Sequence, residues 1–257
     1  MRLDVYLFQN NYVKSRQKAK SLIEGGNVKL NGNVITKASY EVNTTIENSI
    51  TINDDCIYVS RGGLKLEAIL KSANIDVTGL ICVDIGASTG GFTDCLLKNG
   101  AKKIYAIDSG TNQLDPSLKN NVKVVSIENF NARNISIEHV GNTVDIITID
   151  VSFISQTLII PNALKLLNEN GLYLSLIKPQ FEVGKANVGK GGIVKNKRAI
   201  LNAIDNIISV ANESGFVCTN LIKSPILGGD GNTEFLAVFS RKGSLVSQNL
   251  IKNLVLN

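Results

Sequence analysis

Apolar and polar positions follow two different rhythms along this chain. Up to about residue 60 the apolar runs are short. Leu3, Val5, Leu7 and Phe8 read as one apolar side of a short helix, and Ala19, Leu22 and Ile23 as the buried face of a second. Ser15 stands where the second helix needs an N-cap, and Gly25-Gly26 stops it. "NVKLNGNVITK" then reads as a hairpin about Asn31-Gly32. Short strands and turns follow, with a loop at Asp54-Asp55. A boundary near Tyr58–Ser60 gives domains 1–59 and 60–242 and a tail, 243–257, that is either a last helix or frayed.

Beyond the boundary the runs lengthen and alternate. The pattern predicts helix 62–73, strand 81–85, helix 91–99, and strands 103–108 and 122–126. Helix 134–140, strand 144–150, helix 155–168, strand 172–178, helix 196–213 and strands near 217–224 and 234–240 complete it. Strands alternating with helices imply an α/β fold, a doubly wound parallel sheet with an antiparallel pair at its end, preceded by a small α+β domain.

Composition narrows the class. Of 257 residues, 44 % are apolar, enough for a buried core, yet no run approaches the length that spans a bilayer. The N-terminus lacks the shape of a signal peptide, so a cytoplasmic protein with no membrane partner is expected. Cys56, Cys82, Cys95 and Cys218 have neither disulfide nor zinc spacing and read as buried thiols. His139 is the single histidine, so no histidine metal cluster exists; no metal is expected and His139 is given no role.

Charge is concentrated at the start. Residues 1–37 hold seven Lys/Arg against Asp4 and Glu24, the same net +5 as the whole chain. Arg2, Lys14, Arg16, Lys18 and Lys20 are the candidate RNA contacts, close to a helix N-terminus that suits phosphate. "RLDVYL…SRQKAKSLIEGGNVKLNG" resembles the alpha-L RNA-binding domain of some ribosomal proteins, pseudouridine synthases and tyrosyl-tRNA synthetases. Lys195, Lys197 and Arg198 form a second place where an RNA footprint could lie.

"ICVDIGASTGGFTDCLLKNG" carries a glycine turn between strand and helix. A phosphate loop needs lysine near its end, where Gly90-Gly91-Phe92-Thr93 has none, and a dinucleotide turn needs glycine where Ser88 stands. The turn of class I methyltransferases, which holds S-adenosylmethionine, remains. Gly86, Ala87, Ser88, Thr89, Gly90, Gly91 and Phe92 then approach the cofactor, Asp84 acts at its cationic methionyl part, and Asp108, 17 residues after Gly91, binds the ribose hydroxyls.

Four polar residues mark the acceptor. Lys65 lies on the helix before the first strand, Asp150 ends "VDIITID", Lys178 ends "GLYLSLIK", and Glu234 enters the last strand. Burial and the neighbouring Lys65 are expected to lower the Lys178 pKa, as a general base needs. Asp150 orients that ammonium and Glu234 holds either lysine. Such a set suits a hydroxyl acceptor, and the tetrapeptide and cysteine of base-directed methyltransferases are missing.

"SRGGLKL", "DIGASTGGFTDCLL", "DVSFIS", "IKPQFEVGK" and "GNTEFLAVF" together resemble the TlyA family, which are FtsJ-like rRNA 2′-O-methyltransferases with an N-terminal RNA-binding domain, often labelled hemolysins. The resemblance covers nearly the whole chain. It implies methyl transfer from S-adenosylmethionine to the ribose 2′-hydroxyl of cytidine, with ribosomal RNA or ribosomal subunits as partners. It maps a Lys-Asp-Lys-Glu tetrad onto Lys65, Asp150, Lys178 and Glu234. It adds Glu128, Asn131 and Asp150 to the cofactor contacts, although Phe130 departs from the usual "E-x-T-N-x-R". A non-catalytic RNA-binding module and a membrane-active hemolysin are the competing readings; filled tetrad positions oppose the first, and the lack of an amphipathic or spanning segment the second.

Overall fold

The computed structural model describes residues 1–13, 15–24, 26–52, 57–228 and 231–257. The chain divides into two compact units, Met1–Arg61 and Gly62–Asn257.

The first unit contains α1 (Leu3–Gln9), α2 (Arg16–Glu24), β1 (Val28–Leu30), β2 (Asn33–Val34) and β3 (Ile50–Ile52), the strands ordered β2-β1-β3. Ser15 caps α2, its Oγ accepting the Lys18 N–H at 3.1 Å. Asn31 and Gly32 turn the hairpin with φ of 51° and 83°, the two positive values that a tight primed turn requires. The apolar side of α1 differs from expectation. Leu3 and Leu7 are buried one turn apart, whereas Phe8 lies further round the helix and is 42 % exposed. Asp4 is buried instead, held by two guanidinium groups described below. The expected loop at Asp54-Asp55, and Cys56, lie outside the described residues.

The second unit opens with α3 (Gly62–Ser72), β4 (Ile81–Ile85), α4 (Gly91–Lys98), β5 (Lys103–Ile107), α5 (Pro116–Lys119) and β6 (Val124–Ile127). It continues through α6 (Ile137–Val140), β7 (Val144–Ile149), α7 (Ile160–Ala163), β8 (Leu167–Ile177) and α8 (Pro179–Glu182). α9 (Lys197–Glu213), β9 (Val217–Lys223), β10 (Phe235–Ser240) and α10 (Gln248–Leu256) close it. Its sheet runs β6-β5-β4-β7-β8-β10-β9; the first five are parallel, and β10 is antiparallel to both of its neighbours. The doubly wound sheet and its antiparallel end match the sequence pattern. Strands buried on both faces explain the continuous apolar runs "ICVDI" and "VDIITI".

The long helix expected over 155–168 does not form. Pro161 has no N–H for a helix interior, so only α7 and single tight turns occupy the stretch, and β8 begins at Leu167. α5 was not anticipated, although Asp115-Pro116 signals it: the Asp115 carboxylate accepts the Ser117 N–H at 2.9 Å. The tail is helical, capped by Ser247, with Ile251 and Val255 in the core. Cys82, Cys95 and Cys218 are buried cysteines, and burial pushes Cys82 and Cys218 up to about 12. His139 serves locally: its Nδ1 accepts the Ser136 N–H at 3.2 Å at the start of α6, and its ring packs on Phe130.

Candidate active site

The carboxyl ends of β4, β5 and β7 surround a cavity of about 360 Å³, where parallel sheets place their ligands. Gly86, Ser88, Asp108, Asn131 and Asp150 line it among the anticipated cofactor residues. Gly86 has a φ of +83°, and a Cβ there would lie 2.3 Å from the Asp150 carbonyl oxygen. Only glycine lets the first turn pass that close to the end of β7. Ser88 adopts a left-handed conformation, φ 48°, and its N–H donates to Asp108 Oδ2 at 2.7 Å. Gly110 N–H donates to the other oxygen at 2.7 Å, so Asp108 is fixed with lone pairs left on the cavity wall.

Several anticipated cofactor residues are not on this cavity wall. Asp84 is fully buried beneath the turn, its oxygens accepting from Thr93 Oγ1 at 2.6 Å and Thr148 Oγ1 at 2.9 Å. It braces the turn from below. Burial, reinforced by the charge of Asp150, raises its pKa to about 6 against the pull of those hydroxyl bonds. Glu128 is also off the cavity wall: it accepts the Gln113 N–H at 3.0 Å and pairs with Lys119 at 3.3 Å, tying down the 110–119 loop. Those backbone and lysine donors hold its carboxyl below the usual range despite desolvation. Ala87, Thr89, Gly90, Gly91 and Phe92 shape the turn without lining the cavity. A Cβ on Gly90 would lie 2.3 Å from Leu118 Cδ1, and Phe92 is in the core.

The four acceptor-side residues form two ion pairs. Lys65 Nζ, on α3, lies 2.5 Å from Glu234 Oε2 just before β10, and both are buried. Lys178 Nζ, at the end of β8, lies 2.5 Å from Asp150 Oδ1 and donates to Ser152 Oγ at 3.1 Å. Among the described residues, Asp150 Oδ1 is buried and accepts no directed hydrogen bond, and the charge of Lys178 is its close partner. The expected lowering of the Lys178 pKa is overturned. Burial does oppose its charge, but Asp150 and then Glu234 outweigh burial and hold the ammonium above its ordinary value. Lys65 is already paired with Glu234, which offsets its repulsion.

Two residues were missed. Ser152 takes the hydrogen bond of Lys178. Phe153 lines the cavity mouth, 92 % exposed, with φ +64°, a strained value for a bulky side chain. Its ring leans on Phe181 at 5.1 Å, and Glu182 fixes the loop behind it, accepting from Ser155 Oγ at 2.5 Å and from the Gln156 N–H at 2.9 Å. The "DVSFIS" stretch after an apolar strand was the available signal.

In the first unit, Asp4 gathers two of the anticipated RNA contacts. Arg2 donates twice to its carboxylate, at 2.9 and 3.1 Å, and Arg16 once at 2.9 Å. Burial opposes the Asp4 charge, yet the arginines outweigh it and keep the carboxyl below its usual pKa. Both guanidinium groups stay about half exposed, fixed side by side. Lys20 pairs with Glu24 at 3.7 Å, the Lys18 backbone caps on Ser15, and Lys14 lies outside the described residues.

Comparison with known proteins agrees with this architecture. The FtsJ-like methyltransferase model matches residues 58–241, which include the cavity and both ion pairs. The chain belongs to the FtsJ-like methyltransferase family. An S4 domain matches residues 1–45. The chain is 45 % identical over 240 residues to hemolysin A of Brachyspira hyodysenteriae, covering 93 % of this chain and 99 % of that one. It is 37 % identical over 234 residues to the 16S/23S rRNA (cytidine-2′-O)-methyltransferase TlyA of Mycobacterium tuberculosis, covering 91 % and 87 %. A solved structure from Streptococcus thermophilus that carries a provisional hemolysin name aligns with a TM-score of 0.79 at 37 % identity, covering 100 % of this chain and 94 % of the other. Among the described residues no helix is long and apolar enough to cross a membrane.

Proposed function

We propose that this protein transfers a methyl group from S-adenosylmethionine to the ribose 2′-hydroxyl of cytidine in ribosomal RNA. The observation that carries the reading is the Asp150–Lys178 pair, an otherwise unpartnered carboxylate oxygen and an ammonium side by side where β7 and β8 end. The relative named as an rRNA (cytidine-2′-O)-methyltransferase, 37 % identical, supports the choice of substrate.

The cavity residues fit the donor. Gly86 gives the close backbone approach, and Asp108 presents a fixed carboxylate suited to vicinal hydroxyls. Ser88, Asn131 and Asp150 contribute further wall. When bound, the donor supplies an electrophilic methyl carried on sulfonium. The hydroxyl oxygen would form its bond to that methyl as the methyl–sulfur bond breaks, the electron pair leaving on sulfur as a neutral thioether, while the O–H bond breaks and its proton is taken up by the protein. At rest Lys178 is held protonated, so the Asp150 carboxylate is the acceptor for the hydroxyl proton, and the Lys178 ammonium stabilises the developing alkoxide. Glu234 fixes Lys65 and adds to the field that keeps Lys178 charged. Phe153 offers an aromatic face for a base at the cavity mouth. Arg2, Lys14, Arg16, Lys18 and Lys20 give the first unit its RNA contacts, and the boundary of that RNA-binding part falls at about residue 59. A cytoplasmic location follows from such a substrate.

The test is transfer of a labelled methyl from S-adenosylmethionine to unmodified ribosomal subunits, with nucleosides resolved by mass spectrometry. The expected product is 2′-O-methylcytidine. A base-methylated product, or none, would overturn the reading.

A further inference from the structure

Between Glu182 and Asp205 the chain carries Lys185, Lys190, Lys195, Lys197 and Arg198 and no carboxylate. All five cations are exposed. A groove of about 400 Å³ opens beside them, between the end of α8 and the first turns of α9. Its polar walls are Glu182, Asn187, Asn196, Arg198, Asn202 and Asn206.

Arg198, Asn202 and Asn206 stand four residues apart and share one face of α9, a step of about 6 Å per position. All three are exposed, and among the described residues none of their side chains has a hydrogen bond or ion pair. Asn196 is committed locally, its Oδ1 capping α9 through the N–H groups of Arg198 and Ala199. The one carboxylate of the groove is committed too. Both Glu182 oxygens face away into the loop that carries Phe153, accepting from Ser155 Oγ and the Gln156 N–H.

A row of amides with one guanidinium, beside a cationic segment and with its carboxylate Glu182 committed to Ser155 and Gln156, suits a nucleic acid strand better than an apolar or cationic partner. Amides bond base edges, and arginine bonds phosphate. The groove is also next to the chemistry. Lys178 is the residue that opens α8, Glu182 ends that helix, and the same Glu182 holds the loop carrying Phe153.

We propose that this groove binds the RNA strand flanking the target nucleotide, with Arg198 on a phosphate and Asn202 and Asn206 on the adjoining nucleotide. The assignment rests on the RNA 2′-hydroxyl reading above and deepens it. The groove lies within the methyltransferase unit, so it sets which sequence enters the cavity in addition to whatever the S4 domain grips.

The test uses the full chain with the double substitution Arg198→Ala/Asn202→Ala, and Lys252→Ala on α10 as a charge-loss control. Both altered positions are exposed on a helix, so thermal unfolding should match the native protein. The expected result is a KM for rRNA raised about tenfold, kcat within about twofold, and a salt slope of RNA binding reduced by about one. S-adenosylmethionine affinity, read by calorimetry, should not change. Lys252→Ala should leave KM and slope as they were. Native-like KM and salt slope in the double variant would overturn the groove, as would an equal loss in Lys252→Ala. If the native protein methylates no rRNA, the 2′-hydroxyl reading fails instead. RNA binding then still decides the groove: a double variant that binds like the native chain refutes it, and weaker binding with a lower slope upholds it.

Discussion

Lys178 Nζ and Asp150 Oδ1 stand 2.5 Å apart at the ends of two adjacent parallel strands, with Ser152 Oγ 3.1 Å from the same nitrogen. The pairing keeps the lysine charged and leaves the carboxylate as the open acceptor. Lys178→Ala should lower kcat by about 10²–10³-fold, the range for a lost donor that stabilises developing negative charge. Cofactor affinity should persist, because Lys178 is not on the cavity wall. Single-turnover methyl transfer and calorimetry check both; a fully active variant would remove Lys178 from the mechanism.

Asp84 gives a pH prediction. Its folded pKa is raised to about 6, above the ordinary carboxylate value. The stability it contributes is therefore complete below the unfolded pKa and is lost as pH rises through about 6. Asp84→Asn does not titrate, so it should gain on the native protein between pH 4 and pH 7.5 by about 2–3 kcal/mol. Denaturant unfolding of both proteins at the two pH values measures it. A constant difference would mean that Asp84 does not titrate in this window.

Glu182 separates support from chemistry. Glu182→Ala frees Ser155 and the Gln156 N–H, loosening the loop that keeps Phe153 at a strained φ, so kcat should fall about tenfold or more. Glu182→Gln keeps an acceptor for the N–H and should restore most of it. Were the role only to stabilise the fold, Glu182→Ala would lower the melting temperature and leave kcat per folded molecule unchanged.

In the first unit, Asp4→Ala should leave Arg2 and Arg16 unfixed and cost about 1–2 kcal/mol, modest because both guanidinium groups are half exposed. Arg16→Ala should weaken RNA binding and lower its salt slope by about one. Denaturant unfolding reads the first and filter binding over a salt series the second; an unchanged slope in Arg16→Ala would move the RNA footprint off this face.

Much of this was legible in the sequence because the two rhythms are local. Alternating apolar runs gave the sheet and its helices, and Asn31-Gly32 and Ser15 gave a turn and a cap. Asp150 and Lys178 could be chosen because the ends of apolar parallel strands are predictable. What sequence could not supply was partnership. Lys65 and Glu234 are 169 positions apart, and nothing local says that Glu234 takes Lys65 while Asp150 takes Lys178. Asp84 and Asp108 both lie at strand ends, yet one is roofed by Thr93 and Thr148 and the other opens to the cavity. The sign of the Lys178 shift depended on those same long-range choices, which is why burial alone misled.

The place of β10 has a consequence for synthesis. The last strand of the sheet to be made inserts between β8 and β9, and Glu234 enters with it. A nascent chain holding everything up to β9 owns the cofactor cleft and Lys178, but Lys65 has no counter-ion and β8 has an open edge. On the proposed function, a copy truncated after β9 lacks the Lys65–Glu234 pair and should fail to mark RNA.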